Sequence, residues 1–162
     1  MSRSVVALIA LAVAAGASAN TPVYNANISE AEVLGAQTAW CNALVSISKT
    51  GEEKGQAAAK QLAGEVIDAA YGYNLGPVAF KPTLTVAPQT FRTTREGALA
   101  YFVGGDPNFK DDSGFALKGW TACRAENAAI LINGDVATTM GNVMITGKDG
   151  KVTTVDKTWT FK

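Results

Sequence analysis

Any chemistry in this chain is run without histidine, because its 162 residues contain none. That removes a three-His zinc site, a Ser-His-Asp triad and an imidazole general base. Hydroxyls, carboxylates, amides, amines and two thiols remain. Asp111 and Asp112 are acidic neighbours of the kind that contribute to calcium sites, although a solvated loop is the favoured reading. Glu65 and Asp68 lie three apart on one helical face, where surface solvation is the default. Gly104-Gly105-Asp106 has the glycines of a phosphate nest, but a helix C-cap explains them better. Cys41 and Cys123 are far too distant in sequence for metal-ligand spacing. Two buried free thiols are favoured for them, with a disulfide as the alternative. The chain has no phosphate loop, no dinucleotide fingerprint and no G-x-S-x-G elbow.

The elements that must position any site are those of one globular domain. Apolar residues make up 48% and charged residues 17%, and 14 basic groups balance 14 acidic ones. A neutral chain with no basic stripe is not built for nucleic acid. Met1-Ser2-Arg3 followed by the apolar run Val5 to Ala15 and by Ala17-Ser18-Ala19 predicts a signal peptide over residues 1–19. An apolar run of about 11 residues is too short to span a bilayer. The product is therefore expected to be exported: periplasmic, secreted, or delivered to a plastid or lumen. Residues 20–28 read as an N-terminal extension and 29–162 as the domain.

Ser29 and Glu32 form a capping box that opens a helix over about Glu30 to Lys49, with Gly51 as its stop. A second helix follows from near Glu52 to Gly72. After an irregular stretch, a short extended segment is expected from Thr83 to Ala87. Thr93 and Glu96 read as a second capping box for a short helix ending at Gly104-Gly105. Strands are then predicted over Trp120–Ile132, Val136–Ile145 and Val152–Phe161, joined by turns at Asn133-Gly134 and Lys148–Lys151. Helices followed by an antiparallel meander make an α+β fold, with the helices on one face of a curved sheet.

Three blocks stand in a fixed order. They are Tyr71-Gly72-Tyr73-Asn74-Leu75-Gly76-Pro77-Val78-Ala79-Phe80-Lys81-Pro82-Thr83, then Phe91-Arg92-Thr93-Thr94-Arg95-Glu96-Gly97-Ala98-Leu99-Ala100-Tyr101-Phe102-Val103-Gly104-Gly105-Asp106-Pro107, and Gly114 to Trp120 running on into Arg124-Ala125-Glu126-Asn127-Ala128. Together they resemble the iota-class carbonic anhydrases, over about Ala36 to Lys162. Members of that group are often mislabelled phosphoribosyl-AMP cyclohydrolases, a reaction whose metal and phosphate groups are not found here.

The resemblance implies a cone-like bent antiparallel sheet wrapped around a long N-terminal helix, related to the association domain of calcium/calmodulin-dependent kinase II. It implies reversible hydration of carbon dioxide to bicarbonate without a metal cofactor, with zinc or manganese left open. By position, Thr83 and Tyr101 are the candidate catalytic residues. Their plainer readings are a strand residue facing solvent and a core aromatic. Family members continue into a further strand carrying a His-His-Ser-Ser run. This sequence stops at Lys162, so a piece of a longer polypeptide and a degenerate, inactive copy are both open. The rival reading is a non-catalytic association or ligand-binding module of the same fold. The alternation of Trp159 and Phe161 with Thr158 and Thr160 gives β-strand faces of unlike polarity. With the family's sheet-face packing, that leads to an expected homodimer.

Overall fold

The computed structural model describes residues 22–162, so the predicted signal peptide lies outside the described residues. Helix α1 (Glu30–Lys54) opens as the capping box dictates. Ser29 Oγ accepts from the Glu32 amide, and Glu32 Oε2 accepts from the Ser29 amide at 2.7 Å. The Ser29 hydroxyl, which donates to Glu32 Oε2 at 2.7 Å, and the Ser29 amide hold the Glu32 carboxyl below its ordinary range.

Gly51 does not end α1. A Cβ there would lie 2.7 Å from Leu117 Cδ2, so the glycine lets the helix pass close to the single turn Phe115–Leu117. The break falls instead at Gly55, whose φ of 84° suits glycine, and α2 (Gln56–Ala70) follows. Helix α3 (Arg95–Val103) is capped by Thr94 rather than Thr93: Thr94 Oγ1 accepts from the Gly97 amide at 3.2 Å. Glu96 consequently sits one place short of the capping-box position. Gly104 ends α3 with φ 66°, its amide donating to Ala100 O, which is the C-cap expected of it.

No strand forms over Thr83 to Ala87. The Thr85 hydroxyl lies 3.1 Å from Pro82 O and 2.6 Å from Thr90 O, closing a loop around itself with a turn at Thr83-Leu84. A side chain that satisfies local backbone carbonyls in this way competes with strand formation.

Strands β1 (Trp120–Asn133), β2 (Val136–Gly147) and β3 (Val152–Phe161) form an antiparallel sheet in that order. Asn133 pairs with Val136, so the two-residue loop is Gly134-Asp135, one place later than the sequence suggested. Only Gly134 takes positive φ (63°), the pattern of a turn with glycine first. A bulge between Asn127 and Ala129 brings β1 backbone against Gly141, where a Cβ would lie 2.1 Å from Glu126 O.

Helix α1 lies across one face of the sheet, and Leu44, Ile47, Ile67, Phe115, Val143 and Ile145 close the core. Cys41 of α1 and Cys123 of β1 are joined as a disulfide with Cα atoms 5.1 Å apart. The free-thiol reading is thereby corrected: both cysteines sit on the inward faces of two elements packed together, which the sequence distance conceals. A correction also applies to the aromatic face of β3. Trp159 turns inward and meets Trp40 of α1 edge-on at 5.9 Å, so its cover comes from its own chain. Among the described residues, no helix is long and apolar enough to cross a membrane.

Candidate active site

Tyr101 enters the core from α3, where its side chain is 4% exposed. Its ring stacks on Phe115 at 5.4 Å and meets Phe80 edge-on at 5.9 Å, with Phe102 beside it. Among the described residues, Tyr101 Oη is the single buried side-chain polar atom that makes no hydrogen bond. Leaving such a group unpaired costs about 1–3 kcal/mol. Burial pushes its pKa up to about 12. The Leu84 backbone and the Thr83 hydroxyl and backbone pull the other way, and the Asp112 charge adds to the rise. Thr83 and Leu84 therefore lie near Oη without reaching normal hydrogen-bond geometry. The turn at Thr83-Leu84 is thus what brings the two predicted residues, Thr83 and Tyr101, together.

A second buried polar cluster shows the contrast. Gln37 Nε2 donates to Asn127 Oδ1 at 2.9 Å, and Asn127 Nδ2 donates back to Gln37 Oε1 at 2.7 Å. That cluster is satisfied and calls for no ligand. The cavities argue the same way. An open groove of about 540 Å³ between α1 and β1 carries Glu30 and no cation, which suits no anion. The apolar crevice between α1 and α2 holds about 10 Å³, room for one water at most.

The remaining sequence candidates have structural work. Asp112 receives both nitrogen contacts of Arg92, with Arg92 Nη2 2.9 Å from each carboxylate oxygen. Asp68 pairs with Arg95 rather than standing free, and Glu65 accepts from Gln61 Nε2. Asp106 caps a turn by accepting from the Asn108 amide. Among the described residues, no three His, Cys, Asp or Glu side chains converge to hold a metal.

Sequence reasoning missed Trp40, Tyr71 and Lys157. Trp40 Nε1 donates to Tyr71 Oη at 3.1 Å, and burial drives the Tyr71 pKa well above its ordinary value, with Tyr73 and Tyr101 as lesser causes. Lys157 Nζ stands 5.0 Å from the Trp40 ring centre and 6.0 Å from that of Trp159. Burial lowers its pKa to about 8; Asp156 opposes the shift and the Lys81 charge adds to it. One signal was available: Val155, Lys157, Trp159 and Phe161 share a strand face by period two.

A family profile for metal-independent carbonic anhydrase matches residues 31–162. The chain belongs to that family. A metal-independent carbonic anhydrase from Nostoc sp. is 61% identical over 149 residues, which is 92% of this chain and 73% of that protein. A crystal structure of the iota-carbonic anhydrase from a cyanobacterium, complexed with bicarbonate, is 62% identical and superposes with a TM-score of 0.85. The match covers 88% of this chain and 87% of that one. The metal-independent carbonic anhydrase fold is thus an α+β domain of three α-helices against a three-stranded sheet in this chain's described residues.

Proposed function

We propose that the chain interconverts carbon dioxide and bicarbonate at the Tyr101 hydroxyl, with Thr83 beside it. Family membership supports the reaction. For the place, one observation carries the reading: a buried hydroxyl without a protein partner, set among aromatic rings and next to a second hydroxyl. Hydration joins a water oxygen to carbon, moves one C=O electron pair onto oxygen and releases a proton. Phe80, Phe102 and Phe115 give the apolar surround that admits an uncharged gas. Tyr101, with its pKa raised to about 12, stays protonated at neutral pH and serves as donor, not base. It donates to the oxygen on which charge develops. The Thr83 hydroxyl accepts from the attacking water and turns its lone pair toward carbon. Neither residue keeps the released proton, which passes to solvent or buffer. The family is metal-independent.

The test is a stopped-flow hydration assay on purified protein, with thermal midpoints measured in parallel. Tyr101→Phe is expected to lower kcat by about 10²–10³-fold while stability changes by about 1 kcal/mol. Thr83→Val makes the same comparison at the second hydroxyl. Near-wild-type rates in both variants remove Thr83 and Tyr101 from the mechanism.

The finer expectations stand as proposals with their own support. Among the described residues β3 has one neighbouring strand, so its other edge offers free backbone groups. Helices followed by a meander agree with a relation to the kinase II association domain. Leu131 and Met140, 70% and 62% exposed on the outer sheet face, favour a homodimer through that face. Export is favoured by the apolar N-terminus together with the disulfide.

A further inference from the structure

A lysine held inside an aromatic cluster needs a reason, because a half-desolvated ammonium is costly unless something negative answers it. Lys157 faces inward from β3, in the same alternation as Val155 and Trp159, and its Nζ stands over the indoles of Trp40 and Trp159. Its neighbour Asp156 points to the opposite face of the strand and is exposed. Among the described residues, no carboxylate lies within ion-pair distance of Lys157 Nζ. The other charge it feels is Lys81, a second cation.

Two separate chains of contact tie this ammonium to Tyr101. Lys81, close enough to Lys157 to repel it, donates to Thr83 O at 3.3 Å, and Thr83 adjoins Tyr101 Oη. On the other side, Trp40 beneath Lys157 donates to Tyr71 Oη, and the Tyr71 ring packs on Phe80, which meets Tyr101 edge-on. Among the described residues neither Lys157 nor Lys81 has a carboxylate partner, and Lys81 reaches the Thr83 backbone beside the one buried hydroxyl that lacks a hydrogen bond. A small oxyanion answers both deficits at once: it gives the ammonium a counter-charge and the phenol an acceptor.

We propose that Lys157 is an anion-binding residue, whose charge holds bicarbonate, and the anionic transition state leading to it, against the Tyr101 hydroxyl. The proposal rests on the reading of Tyr101 as the reaction site and adds the group that distinguishes the charged substrate from the neutral one. Carbon dioxide gains nothing from a cation, whereas bicarbonate and the transition state gain alike. The kinetic consequence is asymmetric. Loss of the charge raises KM in the dehydration direction with kcat unchanged. In the hydration direction it lowers kcat with KM for carbon dioxide unchanged. The ratio kcat/KM falls by one common factor in both directions, as the fixed overall equilibrium demands.

The experiment compares wild type with Lys157→Met, which keeps an unbranched stem, and Lys157→Arg, which keeps the charge. Both directions of the reaction are measured, along with bicarbonate titrated against tryptophan fluorescence and thermal midpoints. The expected result is a loss of about tenfold in bicarbonate affinity and in kcat/KM for Lys157→Met, split as above, with most of it restored in Lys157→Arg. Unchanged bicarbonate binding in folded Lys157→Met overturns the proposal, and so does an arginine variant as weak as methionine. If wild type binds bicarbonate, loses that binding in Lys157→Met and shows no hydration activity, Lys157 stands and the Tyr101 reaction reading falls. If wild type is active and Lys157→Met matches it, the reverse holds. Absence of both binding and activity in wild type overturns the two together.

Discussion

Arg92 and Asp112 show how differently two ion pairs in one chain weigh. Their side chains are 3% and 6% exposed, so Asp112→Asn strands a buried guanidinium and is expected to cost about 3–5 kcal/mol, read from denaturant unfolding. The pair Arg95 with Asp68, 37% and 57% exposed, is worth about 0–1 kcal/mol, and Asp68→Asn should leave unfolding almost unmoved. Lys157 carries a prediction in pH. Its folded pKa of about 8 lies below the unfolded value of 10.5, so the unfolded chain binds more protons between those limits. The stability contribution of this group is therefore present above pH 10.5 and is lost as pH falls through 8. Asp156 and Lys81 are the charges that act on it. Lys157→Met should accordingly raise the thermal midpoint at pH 7 and give little gain near pH 10.5. An equal gain at both pH values would mean that packing, not charge, had changed. At this scale the sequence was partly legible. Thr83 and Tyr101 emerged from long motif blocks, whereas Lys157 is an ordinary strand lysine until Trp40 is brought up beneath it from more than a hundred residues away.

At the scale of elements, the meander and the first helix could be read because caps, turns and periodicity are local signals. The errors fell where a distant contact or a local side chain overrode them. Gly51 resembles a helix stop until Leu117 is seen packed on it, and Thr83 resembles a strand residue until Thr85 closes its loop. Gly51→Val is expected to push the turn Phe115–Leu117 away from α1 and lower the thermal midpoint, since the new Cβ meets a side chain at 2.7 Å. Gly141→Ala is the harsher case, because the atom opposed is backbone: Glu126 O at 2.1 Å. The sheet must unpair at the bulge to relieve it, which near-native circular dichroism and an unchanged midpoint would contradict. The disulfide between α1 and β1 closes a loop of 82 residues, which the chain-entropy argument values at about 4 kcal/mol. Reduction should lower the midpoint by about 10 °C.

For the molecule as a whole, neutrality and the missing histidines excluded much and identified little; long ordered blocks and the family match supplied the reaction. The proposed homodimer through the exposed sheet face predicts a dimer mass in light scattering at tens of micromolar. The Cys41–Cys123 bond has a topological consequence as well. It makes a covalent ring of residues 41–123 that holds Thr83, Tyr101, Arg92, Asp112 and the ring-stacked phenylalanines Phe80, Phe102 and Phe115. The loop with its exposed Leu75, Leu84, Val86 and Phe91 lies inside that ring. A protease that cuts this loop opens the circle without parting the molecule. The nicked protein should run as a single species on a non-reducing gel, separate into two fragments once thiol is added, and keep α1 and the sheet fastened together until then.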